Sequence, residues 1–260
     1  MLRSAWLAEC SYRLNMALSI LSLAFILVPL YFVGHALQPL MGSSIASQSR
    51  EYFAFALLGA LALSLVSSSV GALPGALSAA LGRGTFESYL TTAASPTRLF
   101  VGLSAYGILW GLLRAAVLLA AGIALGVRIA WINLPVIVLV VALILVAHAS
   151  IGLVGGSLLL RFRTTGPLLT GAVAASALLG GVYYPTTVIP SWLQHLAELM
   201  PLTYGLRALR RSALLGEPLQ HVAGDLMILA GISIVLVSAG ALALGAALRQ
   251  ARRTGTLAQP

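Results

Sequence analysis

The side chains of this chain that could do chemistry are few, and their types and spacing exclude most reactions. All fifteen residues in its basic count are Arg, six carboxylates oppose them, and no Lys is present. A phosphate-binding loop of the form G-x-x-x-x-G-K-S/T needs its Lys to reach the β- and γ-phosphates, so that nucleotide site is not encoded. Schiff-base chemistry on Lys is excluded with it. A single cysteine, Cys10, permits neither an internal disulfide nor a cysteine-built zinc site. His35, His148, His195 and His221 are scattered without metal-ligand spacing. No catalytic constellation results, and no metal or cofactor is expected in the chain itself.

The carboxylates carry a second exclusion. Ion-coupled transporters usually place an exchangeable acid or histidine within their spans. Here Glu9, Glu51, Glu87, Glu198, Glu217 and Asp225 all fall in loops or at span ends. His148 does fall mid-span, where a lone histidine more often makes a structural hydrogen bond than a functional one. Arg114 is the other intramembrane polar group. It is either a contact for an anionic part of a substrate on a translocation path, or a side chain that snorkels to the outer interface.

The elements that must position these residues are set by composition. With 60% hydrophobic and 8% charged residues and a mean hydropathy of +1.00, the chain reads as an integral membrane protein. Six segments are apolar enough to cross a bilayer, roughly 16–34, 53–80, 99–127, 135–160, 164–184 and 225–248. An even number puts both termini on one side. A cytoplasmic placement gives nine arginines inside (3, 13, 83, 98, 161, 163, 249, 252, 253) against five outside (50, 128, 207, 210, 211). The +9 net charge therefore first suggests topology, and no nucleic-acid partner is expected. The first apolar run is long for a signal core, and no clear A-x-A cleavage site follows it.

Three further features lie between or before the spans. Residues 2–15 place Trp6, Leu7, Cys10 and Leu14 on one helical face, as an interfacial helix or as an extension of the first span. Glycine pairs four apart, 71/75, 107/111, 122/126 and 152/156, suit close helix packing. Between spans five and six, 185–218 is punctuated by proline and offers two short helices, Ser191–Met200 and Thr203–Leu215. Both are too polar on one face to span, so an amphipathic hairpin is expected to dip into the outer membrane surface. Its Arg207, Arg210 and Arg211 share a face at i, i+3 and i+4.

Two segments together resemble a family. GRGTFESYLTTAASPTRLFVG, from Gly82 to Gly102, is similar to the link between spans two and three of type-2 ABC exporter permeases: Gly84, Thr85 and Glu87, then Ser95, Pro96 and Arg98. GGVYYPTTVIPSWLQHLAELMPLTYGLRALRRSALLGEP, from Gly180 to Pro218, resembles the same family's signature between spans five and six. The resemblance implies an all-α, six-span permease subunit, a homodimer or a heterodimer with a like subunit. It would dock two separate ATP-binding subunits, which hold the ATP and Mg, and so would not itself be an enzyme. By the same resemblance, Gly84, Thr85, Glu87, Pro96 and Arg98 would couple to the ATPase, and the first and fifth spans would line the path. Tyr183, Tyr184 and Trp192 would either form an outer gate or simply anchor at the interface. Arg207 stands where the family often carries an acidic or neutral residue, which leaves the charge of the substrate open. The implied function is ATP-driven export, across a bacterial inner membrane, of an amphipathic substrate such as a drug, a lipid or a lipid-linked glycan. The other readings are an ATP-independent membrane binding or immunity protein and an ion-coupled secondary transporter.

Overall fold

The computed structural model describes residues 13–84, 96–162 and 166–254. Among them eight α-helices and no strand occur: α1 Arg13–Ile45, α2 Tyr52–Gly82, α3 Pro96–Ala124, α4 Leu134–Phe162, α5 Gly166–Leu179, α6 Ser191–Ala197, α7 Pro201–Leu214 and α8 Leu219–Thr254. Five are long and apolar enough to cross a membrane: α1, α2, α3, α4 and α8. The expected interfacial helix at 2–15 lies outside the described residues up to residue 12, and Arg13 already belongs to α1.

The fifth expected span is shorter than its apolar run. α5 has 14 residues, about 21 Å at 1.5 Å per residue, against a hydrocarbon core of about 30 Å. It stops at Leu179 because Gly180 and Gly181 follow. Gly181 sits at φ 73°, a left-handed conformation that glycine adopts without steric cost and that ends helices.

Helix α2 is the centre of the bundle, with α1, α3, α4, α5 and α7 packed around it. Glycines set two of these approaches. A Cβ on Gly111 would lie 2.4 Å from the Ser68 Cβ, and one on Gly152 would lie 2.9 Å from the Val70 carbonyl. α3 and α4 thus meet the same stretch of α2, Ser68 to Val70, at close range, as small residues permit between membrane helices. Gly71 and Gly75 face open space instead. The intramembrane serines are satisfied by their own helices: Ser69, Ser104, Ser150, Ser176 and Ser233 each donate to the carbonyl four residues earlier.

The connections α1–α2, α3–α4 and α5–α6 converge on α7 at one end of the bundle. The Ala130 amide donates to the Ala213 carbonyl at 2.8 Å, and Asn133 Nδ2 donates to the carbonyls of Ser212 and Glu217. Arg210 reaches Gln48 of the first connection and Gly181 of the third. The end of α2, the start of α3 and the end of α4 meet at the opposite end, where Leu77, Ala80, Phe100 and Leu159 pack together.

Candidate functional site

The amphipathic hairpin forms two helices close to the expected bounds, yet only one of them lies on the surface. In α6 the apolar stripe is outward: Trp192 and Leu196 are exposed, as is Leu199 just beyond the helix. In α7, ten of the 14 residues are buried. Pro201 opens this helix at a position where its missing N–H would have no intrahelical acceptor. Thr203 Oγ1 donates to the Ala197 carbonyl at 2.7 Å, tying the end of α6 to the start of α7.

The deepest residue of the hairpin is an arginine. Arg210 is 1% exposed and donates to four oxygens. Nε reaches the Phe55 carbonyl at 3.1 Å, Nη1 the Gly181 carbonyl at 2.9 Å and Gln48 Oε1 at 3.2 Å, and Nη2 the Val182 carbonyl at 2.8 Å. Its guanidinium also lies 3.4 Å over the Phe55 ring. Burial pushes its pKa down to about 9, so it remains a cation at neutral pH. A charge this deep is tolerable only when its hydrogen bonds are made. The five N–H groups of a guanidinium form a planar fork that can serve several carbonyls at once, which an ammonium cannot do. Gly59 makes room for the arrangement: a Cβ there would fall 2.0 Å from the Val182 carbonyl and 2.8 Å from Arg210 Nη2.

The three hairpin arginines therefore part ways, against the expectation of one common outward face. Arg207 donates through Nε to both oxygens of Asp225, at 3.0 and 2.9 Å, and through Nη2 to Oδ1. This hydrogen bonding raises the Arg207 pKa above its ordinary value. Arg211 pairs with Glu217 at 2.6 Å and with Asp225 at 3.8 Å. Asp225, near the start of α8, is thus the acid that Arg207 and Arg211 share. The spacing in sequence puts 207, 210 and 211 on one side of α7; what divides them is that this side is wide enough to meet α2 at one edge and α8 at the other.

The expected gate residues sit against this cluster. Tyr52 Oη donates to the Tyr183 carbonyl and Tyr184 Oη donates to the Leu178 carbonyl, both at 2.7 Å. Together with Arg210, these bonds fix the turn that follows α5. A narrow cleft lined by Gln48, Gly181, Thr186, Thr203, Arg207 and Arg210 opens beside it. Trp192 lies on α6, its ring exposed. Arg114 is not part of the cluster. It lies on α3, where Nη2 donates to Ser22 Oγ of α1 at 3.4 Å and Nε has no hydrogen-bond partner among the described residues. His148 is fully buried on α4 and its Nδ1 lies 2.8 Å from the Ile144 carbonyl, the structural hydrogen bond expected of it.

Of the expected coupling segment 82–98, Thr85, Glu87 and Ser95 lie outside the described residues, as does the side chain of Arg98. Gly84 follows α2 at φ 65° and Pro96 opens α3. Among the described residues no group of three or more His, Cys, Asp or Glu could hold a metal ion.

Sequence reasoning did not single out Arg210, Asp225 or Gly59 as a set. Asp225 offered the best signal, as the chain's one aspartate, placed at the entrance to an apolar span. The partners of Arg210 are mostly backbone carbonyls, which every residue carries, so nothing in the sequence marks them.

A comparison with family models matches residues 3–214 to the ABC-2 type transporter family. No curated protein matches the chain.

Proposed function

The chain belongs to the ABC-2 type transporter family, and from that premise we propose that it is the membrane-spanning subunit of an ATP-driven exporter. The family match over most of the chain carries this reading. The chain has no Lys for a phosphate-binding loop of its own, so hydrolysis falls to a separate ATP-binding subunit, two copies per transporter. Cytoplasmic termini are the orientation that the arginine bias of the loops favours, and a bacterial inner membrane is the setting this reading assigns. With α5 as a short sixth crossing, the ATPase meets the end opposite α7, where Gly84, Thr85, Glu87, Pro96 and Arg98 transmit its movement.

A second copy covers α1 and α5. Both helices present large apolar side chains outward, among them Phe25, Phe32, Leu168 and Leu178. A groove of about 480 Å³ between α2 and α5, lined by Leu63, Val70, Gly71, Leu169, Val173 and Ala177, adds to this face. An amphipathic drug, lipid or lipid-linked glycan moves along it, past Arg114, to an exit bounded by Tyr183, Tyr184, Trp192 and Arg207. The outer cluster of α7 keeps that exit shut until the two copies separate.

The test is co-expression with its ATP-binding subunit and reconstitution into vesicles. Copurification of the two and vanadate-sensitive transport are expected. A chain that purifies without any ATPase, or transport unchanged by vanadate, overturns the reading. Within it, Glu87→Ala is expected to weaken ATPase copurification while membrane insertion stays intact, and unchanged copurification and transport remove Glu87 from the coupling role.

A further inference from the structure

A second apolar cavity lies away from the outer cluster and from the α1 and α5 faces. It is a groove of about 450 Å³ between α3 and α8, floored by α4. Val101, Ser104 and Ile108 form one wall, Val146, Ala149 and Leu153 the floor, and Val237, Ala241 and Gly245 the other wall. Its two serines, Ser104 and Ser150, spend their hydroxyls on the carbonyls of Phe100 and Val146. The groove therefore makes no polar demand on an occupant.

Its length and its charged end identify that occupant. From Val237 to Leu248 the wall runs eleven residues, about 16 Å at 1.5 Å per residue, close to half of a hydrocarbon core of about 30 Å. The groove thus has the depth of one leaflet. At its end, Phe100, Leu244 and Leu248 pack together and close the floor. There Arg249 folds back: its Nη1 lies 3.5 Å from where a Cβ of Gly245 would stand. Gly245 is itself part of the groove wall, so an exposed guanidinium lies at the mouth of an apolar channel. Among the described residues Arg249 makes no ion pair with a carboxylate.

We propose that this groove binds one anionic phospholipid, with an acyl chain along α3, α4 and α8 and its headgroup phosphate at Arg249. The site belongs to the inner leaflet, a placement that rests on the cytoplasmic position of the termini given above. Long-chain lipid is the only abundant membrane component that is apolar over one leaflet depth and anionic at one end. The bound lipid is a fixed part of the α3–α8 flank, separate from any cargo moved along α1 and α5.

The full-length chain is reconstituted into vesicles of equal phosphatidylcholine and phosphatidylglycerol, re-extracted, and its retained lipids are identified by native mass spectrometry. Preferential retention of phosphatidylglycerol is expected. Arg249→Gln should lower that preference about fivefold, the equivalent of about 1 kcal/mol for one basic residue at an anionic surface, and Arg249→Lys should restore most of it. Gly245→Phe fills the channel and should reduce retention of both lipids. A photo-crosslinking residue at Ala241 provides a readout that does not depend on either variant's stability, and it should label lipid. Unchanged lipid preference in Arg249→Gln, or labelling at Ala241 of a second copy of the chain in place of lipid, overturns the proposal. The measurement needs neither ATP nor transport, so its failure leaves the exporter reading intact.

Discussion

Helices α5 and α7 have the same length, 14 residues, and opposite fates. α7 carries three arginines and buries ten of its residues, while α5 carries no charge and buries only Ser176. In water the order would be reversed. Within a bilayer, lipid tails are as apolar as leucine and give Leu or Val no reason to leave them, whereas an unpaired polar group cannot remain there. The arginines of α7 are drawn inward by the carbonyls and carboxylates that can satisfy them, and α5 is left facing outward. The polar helix is therefore the lock of this fold, and the apolar helix is an outward face, where the proposed second copy would sit.

Removing the lock should have the largest effect. Arg210→Met leaves the buried carbonyls of Gly181 and Val182 without a donor, at about 1–3 kcal/mol each, and should abolish most folded protein. Size-exclusion profiles and thermal unfolding in detergent would show it. Arg210→Lys keeps the charge without the planar fork and should fall between. If Arg210→Met unfolds no earlier than the parent, α7 is not the lock.

Gly59→Ala comes next. Its methyl group would meet the Val182 carbonyl and the Arg210 guanidinium, an overpacking expected to cost about 1–3 kcal/mol and read as a lower unfolding midpoint. Asp225→Asn removes the acid shared by Arg207 and Arg211. The Arg207 side chain is 40% exposed, so solvent screens the pair, and a loss of about 1 kcal/mol is expected. Unfolding curves of Asp225→Asn and of the double variant with Arg207→Gln should nearly coincide, since both break the same bond. The smallest effect belongs to α5: Leu178→Ala should change stability by no more than about 0.5 kcal/mol while weakening association between copies. A large stability loss there would mean that α5 is core after all.

Much of this architecture is legible in the sequence. Hydropathy points to a helical membrane class, and five of the six apolar runs contain long apolar helices, although the first helix runs on to Ile45, eleven residues past the expected end at Gly34. The prolines at 190 and 201 mark the starts of α6 and α7. Two things are not legible. The expected span at 164–184 runs through Gly180 and Gly181, because a hydropathy window does not register that two adjacent glycines can end a helix. The inward turn of Arg210 depends on Phe55, 155 positions away, and on carbonyls that no side chain announces. A basic amphipathic face reads the same whether it meets headgroups or a cage of backbone oxygens.

The most direct test of the comparison is disulfide cross-linking between copies in native membranes, with Cys10 first replaced by Ser. One cysteine is placed at Leu178 on α5 and, in a separate variant, one at Leu209 on α7. Cross-linked dimers are expected from Leu178→Cys and none from Leu209→Cys. Dimers formed through Leu209 with none through Leu178 would contradict the comparison, because the helix taken as the internal lock would then be the one that faces a partner.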